Sequence, residues 1–137
     1  MAALSDYLEV QLLNHIFDTA AGTTYARPAG IFVALFTVAP TDAGGGTEVT
    51  GGSYARVDAT GNWTISSVGG VSKATNTADI IFPAPTASWG QVVAVGLFDA
   101  ATAGNLLFHA ALTTPKTVNN GDPAPKFLAN SLTITLD

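Results

Sequence analysis

Cysteine is absent from this chain of 137 residues, and charged residues make up only 11% of it. Without cysteine, neither disulfides nor thiolate metal sites can support the fold, and thiol redox chemistry is excluded. Ten acidic residues outnumber five basic ones, which gives a net charge of -5. Because the basic residues are few and scattered, no surface is expected that could grip a phosphate backbone, and nucleic acid is not an expected partner.

Long hydrophobic runs are also missing. The two longest apolar stretches, "AGIFVALF" at 29–36 and "VVAVGLF" at 92–98, are far shorter than the roughly 20 residues of a membrane helix. The start of the chain, "MAALSDYLEV", lacks the basic region of a signal peptide. We therefore expect a soluble protein with no membrane partner, and its length fits a single domain over residues 1–137.

One stretch has the spacing of an amphipathic helix, predicted over residues 5–17. Ser5 can act as its N-cap, and Gly22 lies just beyond its expected end. The apolar positions that recur on one face are Leu4, Leu8, Leu12 and Ile16, widened by Leu13 and Phe17.

Beyond the helix, short apolar or β-branched segments alternate with Gly, Pro, Asn and Asp, as in a sandwich or barrel. The predicted strands are 30–38, 54–59, 62–67, 77–82, 91–99, 105–112 and 131–136. The expected fold is mainly β: an antiparallel sandwich of about eight short strands with one N-terminal helix. A jelly roll is preferred over an immunoglobulin-like strand order, which stays open.

The segment "PTDAGGGTEVTGGSYAR", residues 40–56, contains five of the 14 glycines. A P-loop needs Gly-Lys-Ser/Thr after its glycines, and the dinucleotide fingerprint needs a helix there, but Glu48 and strand-like residues follow instead. Asp42 and Glu48 are too few carboxylates for a calcium loop. This segment is predicted to be a flexible surface loop.

No catalytic, metal or cofactor site is predicted. His15, Asp18 and His109 could be combined into a metal site, but their spacing does not require one, and His109 fits a half-buried, hydrogen-bonded residue better. The Gly-x-Ser-x-Gly nucleophile motif is absent. We expect a non-enzymatic protein; a glycan-processing enzyme with paired carboxylates is the alternative.

Three aromatic residues, Trp63, Trp89 and Tyr54, lie among small and polar neighbours. Exposed rings in such places could stack on a sugar, whereas buried rings would plug the ends of the sandwich. The neutral surface rich in Thr, Ala and Gly, with few charges to guard sheet edges, favours a protein that other proteins cover.

Several blocks carry a family resemblance that spans nearly the whole chain. They are "LSDYLEVQLLNHIF", "VALFT" with "PTDAGGGTEVTGGSYAR", "FPAPTASWG" with "VGLFDAATAGNLL", and the terminal "SLTITL". They resemble a family of small virion proteins of tailed bacteriophages, described as head decoration (cement) proteins or as tail-fibre or minor tail proteins. The segment between them, "VDATGNWTISSVGGVSKATNTA", resembles the family less and could contain the part that varies with the partner.

The resemblance implies a virion structural protein that is assembled in the bacterial cytoplasm. Capsid decoration is favoured, with the protein on the outer surface of the head stabilising contacts between major capsid subunits, because no shaft-forming repeat is visible. The alternative is a tail-fibre, minor tail or baseplate component, which could bind a glycan through Trp63 or Trp89. A homodimer or homotrimer is expected in either case.

The resemblance also gives the glycine-rich loop a role as a flexible arm that orders itself against a neighbouring protein. The residues predicted to contribute to this partner contact are Thr47, Glu48, Val49, Tyr54 and Arg56.

Overall fold

The computed structural model describes residues 3–17 and 25–136. Within these ranges the chain forms one α-helix and eleven β-strands. In chain order they are β1 Ala3–Leu4, α1 Asp6–Phe17, β2 Phe32–Val38, β3 Thr47–Glu48, β4 Val57–Asp58, β5 Trp63–Val68, β6 Val71–Asn76, β7 Ile80–Ile81, β8 Gly90–Phe98, β9 Leu106–Val118, β10 Lys126–Phe127 and β11 Thr133–Leu136. The prediction of a mainly β, antiparallel fold with one N-terminal helix is confirmed.

The described strands form three sheets in which every pair is antiparallel. The large sheet has six strands in the order β1-β9-β8-β2-β3, with β4 also paired to β2. A three-stranded sheet has the order β11-β6-β5, and β10 pairs with β7. This distribution differs from the two equal sheets of a regular jelly roll, because the β5–β6 hairpin pairs with β11 alone.

One main hydrophobic cluster joins the three sheets into a sandwich. It takes Val33 and Leu35 from β2, Ile80 from β7 and Ile134 from β11, all buried. The opposite face of the large sheet carries a smaller cluster around Phe36. The central strands β2 and β8 are therefore covered on both faces, as their continuous apolar sequences predict.

Helix α1 begins where the sequence predicts. The Ser5 hydroxyl accepts a hydrogen bond from the Leu8 amide at 3.3 Å, which is the N-cap geometry. Of the predicted apolar stripe, however, Leu8 is buried, whereas the second half of the helix is largely exposed, with Leu13, Ile16 and Phe17 at 55%, 66% and 71%. The start of the helix is anchored to β9, because Ser5 donates its backbone amide to the Leu107 carbonyl and its hydroxyl to the Leu106 carbonyl. Gly22 lies outside the described residues.

The observed strands depart from the prediction in several places. Strands β1, β3, β6 and β10 were not predicted, and the predicted strands 54–59 and 77–82 shorten to β4 and β7. Strand β6 was not predicted, because its sequence "VSKATN" is polar on the outer face and has few apolar positions. Strand β9 continues to Val118 past the predicted end at 112, despite Pro115.

No helix in the described part of the chain is long and apolar enough to cross a membrane.

Candidate functional site

Two short strands pair with the same edge of β2: β3, which lies within the glycine-rich segment, and β4, which directly follows it. Phe36 and Val38 of β2 pair with β3, while Phe32 and Val33 pair with β4. The chain between β3 and β4 therefore bulges away from the sheet and folds back within a short distance. This return brings Glu48, Tyr54 and Arg56 together.

A part-buried ion pair between Arg56 and Glu48 holds the two ends of the bulge together. Arg56 Nη2 lies 2.7 Å from Glu48 Oε2, and Arg56 Nε donates to Glu48 Oε1 at 2.9 Å. The side chains are 8% and 24% exposed, respectively. Such a two-pronged contact fixes the relative direction of both side chains, because the guanidinium and the carboxylate are planar groups.

The same guanidinium also reaches a second segment of the chain. Arg56 Nη1 donates to the carbonyl oxygens of Ala100 at 2.9 Å and Ala103 at 2.7 Å, in the turn between β8 and β9. Its Cζ lies 3.6 Å from the ring centroid of Phe98, a cation–π contact. Arg56 therefore ties the glycine-rich segment to the β8–β9 hairpin.

Tyr54 connects this network to the main core. Its hydroxyl accepts a hydrogen bond from the Leu35 amide and donates one to Glu48 Oε1, both at 2.9 Å. Its ring packs edge-on against Trp89, with centroids 5.3 Å apart. Burial, reinforced by the Glu48 carboxylate, raises the pKa of Tyr54 well above its ordinary value of 10.0, so the hydroxyl stays a donor at neutral pH.

Next to the network lies a cleft of about 490 Å³ on the second face of the large sheet. The rings of Phe36 and Phe98 stack at its base, with centroids 6.2 Å apart. Its walls are the glycine loop and the start of α1, which are joined by a hydrogen bond from the Asp6 amide to the Asp42 carbonyl at 2.9 Å. His109 on β9 holds the Asp42 carboxylate, with Nε2 2.9 Å from Oδ1.

The polar groups of this region are largely engaged with one another. Both oxygens of Glu48 are hydrogen-bonded, and the carboxylate of Asp42 pairs with His109. Among the described residues, no three His, Asp or Glu side chains gather in a way that could hold a metal ion. These contacts fix the shape of the glycine-rich loop.

The residues predicted as partner contacts occupy three different environments. Glu48, Tyr54 and Arg56 form the internal network, and Val49 is only 3% exposed and belongs to the main core. Thr47 is exposed beside the glycine loop. The partner contact itself stays a prediction, with Thr47 as the member whose side chain faces solvent.

The other residues considered from sequence are dispersed. His109 is 15% exposed and hydrogen-bonded, as its apolar neighbours predicted. His15 is exposed on α1, and Asp18 lies outside the described residues. Trp89 is 5% exposed and donates its Nε1 hydrogen to the Gly52 carbonyl, so it plugs the core and cannot present its face to a sugar. Trp63 is half-buried against the same core.

Two contributors to the site were not found from sequence. Phe98 was read as an ordinary strand residue, and the Asp42–His109 pair joins residues 67 positions apart. No local spacing announces either contact, since both depend on how the sheet brings distant segments together.

The comparisons with known proteins agree with the family resemblance. A family model described as podophage GP4 fiber I protein gp80 matches residues 3–135, which is almost the entire chain. No curated protein matches. The matched range includes the glycine-rich loop, the Glu48–Arg56 ion pair and all three sheets. The chain therefore belongs to the podophage GP4 fiber I protein gp80 family, a family of phage virion proteins.

Proposed function

We propose that this protein is a non-enzymatic structural component of the phage tail, built into a tail fibre or into its attachment. The observation that carries the proposal is the family match over residues 3–135, whose description names a fibre protein. This supports the tail alternative better than capsid decoration, which the sequence analysis favoured. The absence of a shaft repeat had argued for the head, but a compact domain also fits the base or tip of a fibre.

The organisation of the cleft supports a structural role rather than an enzymatic one. Glu48, the half-buried carboxylate at its edge, is held by Arg56 and Tyr54. A general acid or base needs a proton position that a substrate can reach, and these contacts occupy it. The net charge of -5 favours protein neighbours over nucleic acid, and we propose neither nucleic acid nor a membrane as a partner.

The partner surface that we propose is the outer side of the glycine-rich loop. Thr47 is exposed there, and Gly44 and Gly45 have open space around them. Beneath them, Glu48, Tyr54 and Arg56 hold the loop in place. The loop would thus meet another virion protein with backbone groups and small side chains, on a scaffold that needs little ordering on binding.

Immunogold electron microscopy of purified virions tests the location. We expect antibodies against the folded protein to label tails, while antibodies against the major capsid protein label heads on the same grids. Labelling spread evenly over the head surface would overturn the tail proposal and restore capsid decoration.

A further inference from the structure

We propose that two copies of this protein pair edge to edge through β5, antiparallel across a two-fold axis at Ile65. Strand β5, Trp63–Val68, is the outer strand of the three-stranded sheet, and no other described strand pairs with its free side. The inference concerns self-association in solution and does not depend on where the protein sits in the virion.

The β5–β6 hairpin determines which backbone groups of β5 point outward. Its loop is Gly69-Gly70, with φ of 64° and 85°, and Val68 pairs directly with Val71. Residues that flank a two-residue loop of this kind exchange hydrogen bonds with each other. Alternation along the strand then turns the N–H and C=O groups of Trp63, Ile65 and Ser67 toward the free edge.

The alternation of outward-facing and inward-facing residues along β5 favours one symmetric register. In a two-fold antiparallel pair, outward-facing residues must meet outward-facing residues. Centring the axis on Ile65 places Ile65 opposite Ile65 of the second copy, and Trp63 opposite its Ser67. All three outward-facing residues of each strand are then paired, giving about six backbone hydrogen bonds. Shifting the axis to Thr64 or Ser66 leaves part of each edge unpaired.

The composition of the edge suits a second copy of the same chain. Sheet edges are ordinarily protected by charge, proline or a bulge, and β5 contains no charged residue and no proline. In a chain with a net charge of -5, Lys73 is the one charged residue of the segment 59–78, so two copies can approach here without meeting acidic side chains. The low charge on both sides therefore reduces the repulsion that opposes contact elsewhere.

The apolar side chains of this edge remain uncovered in a single copy. Ile65 is 80% exposed and Val68 is 75% exposed. Ile65 lies on the same sheet face as its cross-strand neighbours Ala74 and Ile134, and Ile134 belongs to the core. Pairing would continue this apolar row across the axis and cover both copies of Ile65. One strand pair buries less than a standard stable interface, so the free protein should associate at high concentration only.

Cysteine cross-linking tests the register, because the chain has no cysteine of its own. In Ile65→Cys the two thiols face each other on the axis, with Cβ atoms about 5 Å apart, close to disulfide geometry. Val68→Cys is the matched control, since its side chain is equally exposed on the same strand but lies about 20 Å from its copy in this register.

Under mild oxidation of the concentrated protein, we expect Ile65→Cys to give at least about tenfold more covalent dimer than Val68→Cys. Equal cross-linking of both variants, or none for Ile65→Cys, would overturn the proposal. As a second readout, Ile65→Lys should abolish concentration-dependent dimer formation in sedimentation velocity, while Leu136→Lys on the other edge of the same sheet should not. Unchanged association of Ile65→Lys would also count against pairing through β5.

Discussion

Arg56 illustrates how a single side chain can fix the position of two loops. Its guanidinium contacts the Glu48 carboxylate, two carbonyls of the β8–β9 turn and the Phe98 ring. Removing Arg56 takes away the donor to Glu48 Oε2 and to the part-buried Ala100 carbonyl, and part-buried groups left unpaired are costly. Arg56 therefore acts on any partner contact through loop geometry.

We predict that Arg56→Ala lowers the free energy of unfolding by about 3 kcal/mol in urea denaturation. Arg27→Ala, at an exposed position, is the control and should change it by less than about 0.5 kcal/mol.

Thr47→Arg should leave stability unchanged and yet reduce incorporation into virions, since it adds bulk to the proposed contact. Full incorporation of a stable Thr47→Arg variant would remove that loop from the partner surface.

Tyr54 gives the fold a dependence on alkaline pH. Its pKa is raised by burial, so above pH 10.0 the unfolded chain loses the phenolic proton while the folded chain keeps it. The stabilising effect is complete below the unfolded pKa and is lost as pH rises toward the folded one. The free energy of unfolding should therefore fall above pH 10, by up to about 1.4 kcal/mol per pH unit from this group.

Denaturant titrations at a series of alkaline pH values measure this slope. In Tyr54→Phe the slope should be shallower, and stability at neutral pH should already be lower by about 1–2 kcal/mol, because the Leu35 amide loses its acceptor. Thr47→Ala, an exposed substitution that changes no ionisable group, should keep the wild-type slope. Identical slopes in wild type and Tyr54→Phe would show that the hydroxyl is not protected by the fold.

At the scale of elements, the glycine loop combines one constrained position with two open ones. Gly45 and Gly46 have nearly the same φ, 76° and 77°, so a side chain would strain the backbone equally at both. A Cβ at Gly46 would lie 2.6 Å from the Val38 carbonyl oxygen, whereas nothing lies within 4 Å at Gly45. Gly46 is thus where the loop passes against the end of β2.

We expect Gly46→Ala to destabilise the protein by about 1–3 kcal/mol more than Gly45→Ala, measured by thermal and urea unfolding of the two variants side by side. The difference isolates the steric contact, because the cost of positive φ is common to both. Equal losses of stability would mean that the loop can move away from β2 freely.

Elements with strong local signals could be predicted from the sequence. The N-cap at Ser5 and the regular spacing of apolar residues predicted α1. The continuous apolar runs predicted that β2 and β8 are central strands covered on both faces. Strand β6 was missed because its stability comes from pairing with β5 and β11 on both sides, which no local pattern encodes. The number of buried residues in α1 was overestimated for a related reason. The spacing of apolar residues shows which side chains can be buried, but not whether another element lies against them.

The candidate site was predictable only in its parts. From the sequence, Glu48, Tyr54 and Arg56 were predicted to contribute to a partner contact on a flexible arm. The structure shows them folded inward, because β3 and β4 return to the same edge of β2 and the β8–β9 turn supplies carbonyl acceptors. Interactions between segments this far apart in sequence are set by topology rather than by local spacing.

At the scale of the whole molecule, three properties fit a protein that works in contact with others. Charged residues are few, the three-stranded sheet ends in an unprotected strand, and the second half of α1 is apolar and exposed. A freely diffusing protein ordinarily avoids such surfaces, because they promote association. The proposed role in a tail fibre would bring neighbouring proteins to these surfaces.

Copy number tests the tail assignment most directly. Quantitative mass spectrometry of purified virions would give the ratio of this protein to the major capsid protein, with a known tail protein as internal reference. We predict a small number of copies per virion, in a simple ratio to the tail reference. A copy number that equals a fixed fraction of the subunits in the capsid shell would contradict the tail assignment and place the protein on the head.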